Sequence, residues 1–363
     1  MPKKAVVAMS GGVDSSVAAA LMVEAGYDVT GVMLKLWRGE AENTSSGCCN
    51  VGAAEDARRV ADVIGIPFYV LNMAERFEES VVADFHAAYS TGLTPNPCVR
   101  CNQWIKFDAL LERARALGAD VLVTGHYARV REQGGRYRLL RGVDRAKDQS
   151  YVLWMLRQSE LARARFPVGE MTKPETRALA AELGLRTATK PDSQEICFVR
   201  DGDLGSYVAE RIPEAAEEGA IVDSSGNRLG SHRGIGNYTV GQRKGLGIAL
   251  GVPVFVSSID AATKTLVVGP REELAVGAIE THETRAVGGN LAPGASILVQ
   301  HRAHGDVFPA VVERASGSAA RVIFDTPVEA VAPGQSAAFY SAADPDELIG
   351  GGIISTTVAA AAA

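Results

Sequence analysis

The chain has 363 residues, of which 47% are hydrophobic and 22% charged, with a formal charge of −6. That length suits two or three domains with cores of their own, and the acidic balance argues against a protein that coats nucleic acid indiscriminately. Five cysteines, an odd and unevenly spaced set, argue against a disulfide framework. With no leader-like start and no apolar run of membrane-spanning length, the expectation is a cytoplasmic monomer without a membrane partner.

Up to about residue 200, short apolar runs alternate with amphipathic stretches. "KAVVAM" reads as a buried strand and "SSVAAALMVEAGY" as the helix after it; "DVTGVMLKL", "PFYVLNM" and "ADVLVTGHYA" read as strands, with "AAEDARRVADVIGI" a helix between the first two. Strands alternating with helices predict a parallel sheet wrapped by helices. Beyond residue 200 helical periodicity fades, and short strands such as "PVFVSSID", "KTLVVG", "ASILVQHR", "AARVIFD" and "SAAFY" stand between Gly, Pro and Asp turns. The predicted organisation is an α/β domain over 1–204, a small β-rich central domain over 205–275, a C-terminal β-barrel over 276–358 and a low-complexity tail over 359–363.

Basic charge is unevenly spread. Arg129, Arg131, Arg136, Arg138, Arg141, Arg145 and Lys147 face only Glu132 and Asp144 in sequence, and the stretch from Arg228 to Lys244 has four basic residues and no acidic one. Each reads either as a solvated loop or as a surface that contacts phosphates.

The most informative segment is "VVAMSGGVDSSVAAALM". A strand runs into Ser10-Gly11-Gly12-Val13-Asp14-Ser15-Ser16, where a helix opens. Glycines let backbone approach an anion, N–H groups at a helix start point at it, and the serines add hydroxyl donors. The loop lacks the Gly-Lys-Ser/Thr ending that puts a lysine on the β- and γ-phosphates. It resembles the PP-loop, "SGGxDS", of enzymes that adenylate a substrate and release pyrophosphate. The plainer reading is a glycine-rich turn with Asp14 or Ser15 capping the helix; Asp14 could also help to hold Mg2+.

Downstream, "GHYAR", "KDQSYVL", "PVGEMTKPETRALAAELGL", "KPDSQEICFV", "YTVGQRKGLG" and "PGQSAAFY" follow in order. With the PP-loop in front, the set resembles the tRNA-specific 2-thiouridylase family over nearly the whole chain. The resemblance implies a PP-loop domain, a small central domain and a β-barrel, and ATP-dependent replacement of the C2 oxygen of wobble uridine 34 by sulfur in tRNAs for Lys, Glu and Gln. It implies that Ala8, Met9, Ser10, Gly11, Gly12, Val13, Asp14 and Ser15 cradle ATP with its Mg2+, with Leu34 and Gly125 also on the nucleotide. By the same resemblance Asn96, Pro97 and Cys98 form the target-base loop; Lys147, Asp148 and Gln149 contact tRNA, as do His301 and Arg302. Cys101 matches the nucleophile and Cys197 its sulfur partner, fed by a sulfur-donor protein. Two departures stand out: some members carry Asp where this chain has Cys98, and "QHRAH" near residue 300 replaces a frequent "RYR".

The cysteines leave three chemistries open. Cys197 could carry a persulfide that Cys101 resolves as a disulfide; Cys98, Cys101 and Cys197 could hold a [4Fe–4S] cluster; or they could bind zinc with a borrowed fourth ligand. Arg100 and Lys106 lie close enough in sequence to lower a thiol pKa. Cys48 and Cys49 read as part of a loop before a helix. His126 and Asp192 are candidate polar groups, with Asp192, Ser193 and Gln194 expected to position the Cys197 loop. Trp104 could stack on RNA, whereas Trp37 and Trp154 read as anchors. Two other functions remain open: another PP-loop adenylating enzyme of amidotransferase type, disfavoured by the lack of a glutaminase domain, and a non-catalytic RNA-binding relative.

Overall fold

A computed structural model of the chain describes residues 1–37, 51–192, 196–199, 203–288 and 291–360. Cys48, Cys49, Ser193 and Gln194 lie outside the described residues. The described part forms two compact units: Met1–Val81 with Cys98–Gly202 and Asp346–Ile349, and Val82–Pro97 with Asp203–Pro345 and Gly350–Ala363.

The first unit is built on β1 (Lys4–Ala8), α1 (Val13–Glu24), β2 (Asp28–Lys35), α2 (Val51–Ile64), β3 (Phe68–Asn72), β4 (Val121–Val123), the hairpin of β5 (Ala128–Gln133) and β6 (Arg136–Arg141), and β7 (Ala164–Arg165). β1 to β4 and β7 form a parallel sheet in the order β3-β2-β1-β4-β7. β1 and β4 are its most buried strands, which is why they read as unbroken apolar runs. Val17, Ala18 and Ala19 of α1 pack into the same core as Val7, Val123 and Ala57, and the alanines let helix and sheet approach closely.

The sequence reading missed the hairpin. Gly134 and Gly135 both have positive φ, 59° and 76°, which a tight two-residue turn requires. Pairing brings the basic run onto carboxylates of the same unit. Arg129 and Arg145 meet Asp346, Arg138 meets Glu347, Arg131 meets Glu170, and Lys147 meets Asp192. Much of the apparent surplus of positive charge here is therefore answered inside the fold.

The helix Pro97–Arg100 runs straight into a π-helix, Cys101–Leu110, which buries Ile105, Phe107 and Leu110. Wide-turn stretches of this kind are uncommon and concentrate at functional sites.

In the second unit, helices Ala83–Ser90 and Leu204–Arg211 are joined by His86 Nε2 and the Tyr207 hydroxyl, 2.9 Å apart. β8 (Gly219–Val222), β9 (Arg228–His232), β10 (Phe255–Asp260) and β11 (Thr265–Gly269) form a four-stranded sheet. β12 (Ala275–Ala286), β13 (Ser296–Gln300), β14 (Phe308–Ser316), β15 (Ala319–Glu329), β16 (Ser336–Ser341) and β17 (Glu347–Ala359) close into a six-stranded barrel through the β12–β17 pairing. Val299, Val322, Phe339, Tyr340 and Ile354 are fully buried on its strands. β17 runs one residue into the expected tail, since Ala359 pairs with Val276.

Candidate active site

In an open parallel sheet, ligands bind at the carboxyl ends of strands where the order reverses. Here that point lies between β1, whose neighbour on one side is β2, and β4 on the other. The loop after β1 carries Met9 to Gly12, and the turn after β4 carries Thr124 to Tyr127.

The N-cap of α1 is Gly12, and no side chain caps the helix. Neither Asp14 nor Ser15 takes the capping role considered from sequence. The Ser15 hydroxyl accepts from Ser10 N at 3.1 Å and lies 3.2 Å from the Gly12 carbonyl, while the Ser16 hydroxyl donates to that carbonyl at 2.8 Å. These bonds shape the loop and leave the first-turn N–H groups without a side-chain cap, the arrangement that binds an anion.

Two glycines make the fit possible. At Gly125 a Cβ would stand 2.6 Å from Ser15 N and 2.8 Å from the Asp14 carbonyl carbon, so only glycine lets the β4 turn pass the start of α1. At Gly11, φ is +73° and a Cβ would stand 2.3 Å from the Ala53 carbonyl oxygen. Lys190 fastens the same loop from outside, donating to the Gly11 carbonyl at 2.9 Å and to Asp56 at 2.8 Å. Ala8 ends β1, Met9 and Val13 are buried, and Leu34 is buried near the end of β2.

Beside the loop lies a charged network that sequence reasoning did not find. Lys173 Nζ is 2.8 and 2.9 Å from the two Asp14 oxygens and 2.8 Å from Asp192 Oδ1, with its side chain only 9% exposed. The Tyr127 hydroxyl donates to Asp14 at 2.9 Å. Asp192 also receives Lys147 at 2.8 Å and Arg177 at 2.8 Å. Burial works against charge on Asp192, but hydrogen bonds and charges from Lys147 and Lys173 outweigh it and hold its carboxyl at about 2. Burial pushes the Tyr127 phenol well up, so it serves as a neutral donor. The capping box of Thr172 and Glu175 marks the start of the helix Lys173–Glu182. "TKPE" is a legible start signal, but nothing local tells which carboxylates the lysine will meet.

The other sequence candidates are placed as follows. Asp148, with 7% of its side chain exposed, turns inward onto Gly142 N, Ser150 N and the Ser150 hydroxyl. The Gln149 side chain accepts from Tyr127 N at 3.1 Å. Of this trio Gln149 is exposed and the Lys147 side chain is 37% exposed, with its ammonium on Asp192, whereas Asp148 is turned inward. His126 is buried, its Nδ1 2.6 Å from the Thr124 hydroxyl and its ring against Phe107 and Phe166; burial, then the Lys106 charge, drive its pKa well down, and it is a neutral packing residue. His301 is buried and stacked on Phe308 while Arg302 is exposed, and both line a cavity of about 290 Å³ with Thr239 and Gln335.

Asn96 is half-buried and Pro97 buried; Cys98 is exposed, Cys101 and Cys197 half-buried. Cys98 and Cys101 are one turn apart at the helix that enters the π-segment. Arg100 lies over the Trp104 ring at 4.6 Å, so one face of that ring is covered. Among the described residues no three His, Cys, Asp or Glu side chains come together as a group able to hold a metal ion. No helix among the described residues is long and apolar enough to cross a membrane.

Three known domain families match in series: a tRNA methyl transferase HUP domain over residues 3–201, a tRNA methyl transferase PRC-barrel domain over 205–270 and an aminomethyltransferase β-barrel domain over 278–354. Full-length similarity is more specific. A tRNA-specific 2-thiouridylase MnmA of Roseiflexus castenholzii is 46% identical over 97% of this chain and 99% of its own length. Proteins of the same description from Carboxydothermus hydrogenoformans and Geobacter metallireducens are each 48% identical over 97% of this chain, and over 97% and 96% of their own lengths. The chain belongs to the tRNA-specific 2-thiouridylase family. The 2-thiouridylase relatives thus share with it the whole run from phosphate loop to barrel, not the loop alone.

Proposed function

We propose that this protein uses ATP to replace the C2 oxygen of wobble uridine 34 in tRNA by sulfur. The observation that carries the reading is the side-chain-uncapped α1 N-terminus, closed on by Gly125, in a chain that matches 2-thiouridylases from end to end. A glycine-lined helix start fits a polyphosphate.

The residues divide the work as follows. The N–H groups of Gly12 to Ser15 hold the ATP phosphates, with Leu34 and Gly125 against the nucleoside and Mg2+ arriving with ATP. The uridine is turned out of its stack and held by Asn96, Pro97 and Cys98. Its C2 oxygen attacks the α-phosphorus and pyrophosphate leaves, with the helix N-terminus stabilising the charge that develops. The outer sulfur of a Cys197 persulfide attacks C2, and AMP departs with the original oxygen. The Cys101 thiolate then attacks the Cys197 sulfur, which leaves the outer sulfur on C2 and a Cys101–Cys197 disulfide. A dithiol reductant and a sulfur-donor protein restore the persulfide. Lys147, Gln149, His301 and Arg302 contact the tRNA; Asp148, turned inward, shapes their loop. The tRNAs for Lys, Glu and Gln are the expected substrates.

The thiol relay follows from the family resemblance, which puts Cys101 at the nucleophile and Cys197 at its sulfur partner. The test is anaerobic purification with iron and sulfide analysis, followed by mass spectrometry of 2-thiouridine formed on wobble-uridine tRNA. Loss of product with Cys101→Ser and Cys197→Ser, and retention with Cys98→Ala in iron-free protein, supports the relay. About four irons per chain together with an inactive Cys98→Ala overturns it.

A further inference from the structure

The phosphate loop has no lysine of its own, and ATP carries several negative charges. Asp14 stands in the first turn of α1, and Asp192 is joined to it through one ammonium group. Two carboxylates so close to an anion site would repel the nucleotide unless their charge were cancelled where it arises.

Lys173 is placed to do this. Its ammonium touches both carboxylates at 2.8 to 2.9 Å and lies 5.6 Å from the centre of the Tyr127 ring. Its position is fixed from behind by the Thr172–Glu175 capping box and by its own N–H, which donates to Asp144 at 2.9 Å. With Lys147 and Arg177 on Asp192, the network sets three cations against two carboxylates. Its balance is positive only while Lys173 is present; without it, two cations face two carboxylates and Asp14 keeps only the Tyr127 hydroxyl among these partners.

We propose that Lys173 is a positioning residue for ATP, a cation supplied by a distant helix that neutralises Asp14 and Asp192 so that polyphosphate can settle on the α1 N-terminus. Asp14 could still help to hold the Mg2+ of the nucleotide, because the ammonium has a second partner in Asp192. This inference rests on the ATP-using reading above.

The test measures ATP affinity by calorimetry without tRNA, and the KM for ATP against kcat for pyrophosphate release with tRNA, in Lys173→Met, Lys173→Arg and Lys173→Met/Asp192→Asn. Circular dichroism confirms that each variant is folded. Lys173→Met is expected to weaken ATP about tenfold or more, the scale of a charge left uncompensated beside an anion, with the KM for tRNA unchanged. Lys173→Arg keeps the charge and is expected to recover most of the affinity. The double variant removes one of the exposed negative charges and is expected to bind ATP better than Lys173→Met alone. Wild-type affinity in folded Lys173→Met, or a double variant no better than the single one, overturns the proposal. If Lys173→Met does not fold, the Arg variant and the double variant decide the matter by the same comparison with wild type. A wild-type protein that binds ATP but never thiolates tRNA refutes the function and leaves this inference standing.

Discussion

Replacing Gly125 by alanine tests the phosphate site most directly. The new methyl would stand 2.6 Å from Ser15 N, 2.8 Å from the Asp14 carbonyl carbon and 3.0 Å from Ser15 Cα, all backbone atoms of the first turn of α1. None can rotate away as a side-chain tip could, so β4 and α1 must part by about 0.8 Å to reach an ordinary contact of 3.4 Å. Overpacking of this kind costs about 1–3 kcal/mol. In a unit of this size that lowers Tm by about 2–4 °C for each kcal/mol. The displaced atoms are those proposed to hold the phosphates, and a misplacement near 1 Å can cost about a hundredfold in rate. The expected result is a kcat/KM for ATP-dependent pyrophosphate release reduced about tenfold to a hundredfold, with the variant folded at 25 °C. A Gly125→Ala protein with unchanged Tm and wild-type kinetics would show that the turn after β4 does not press on the loop, and the site geometry would be refuted.

Tyr127→Phe removes a buried hydroxyl from Asp14 while leaving Lys173, and should cost about 1 kcal/mol of stability, read as a lower urea midpoint. His301 has its pKa pushed down to about 4, first by burial and then by the Arg302 charge, against an ordinary value of 6.5; fully buried His126 is shifted the same way. Between those values the unfolded chain binds more protons than the folded one, so stability is complete above about pH 6.5 and falls as pH drops towards 4. Urea midpoints should decline over that window, and less steeply in His301→Gln; equal slopes would contradict the burial argument. Asp346→Asn removes the acceptor shared by Arg129 and Arg145 on a partly exposed site, so it should destabilise by less than about 1 kcal/mol, with the difference shrinking at high salt.

The parallel sheet was legible because its signals are local. Buried strands such as β1 are continuous apolar runs, and the helices between them carry their own periodicity. The barrel strands announced themselves by alternation and turn residues. The hairpin β5–β6 was missed because its arginines dominate the composition, although the Gly134-Gly135 pair between two alternating runs was the available clue. Its paired charges could not be foreseen, because Arg129 and Asp346 are more than two hundred residues apart and nothing local links them.

The strand, glycine turn and helix start of the candidate phosphate loop were determined by sequence alone, because they rest on local backbone geometry. The tertiary structure decided what surrounds that loop. Gly125 was marked by resemblance, but the reason for a glycine there, its contact with Ser15 backbone, exists only once β4 lies beside β1. Lys173 was an ordinary helix-start lysine until folding set it between Asp14 and Asp192. Charges act through space and not along the chain, so which cation neutralises which carboxylate is decided only when the elements pack.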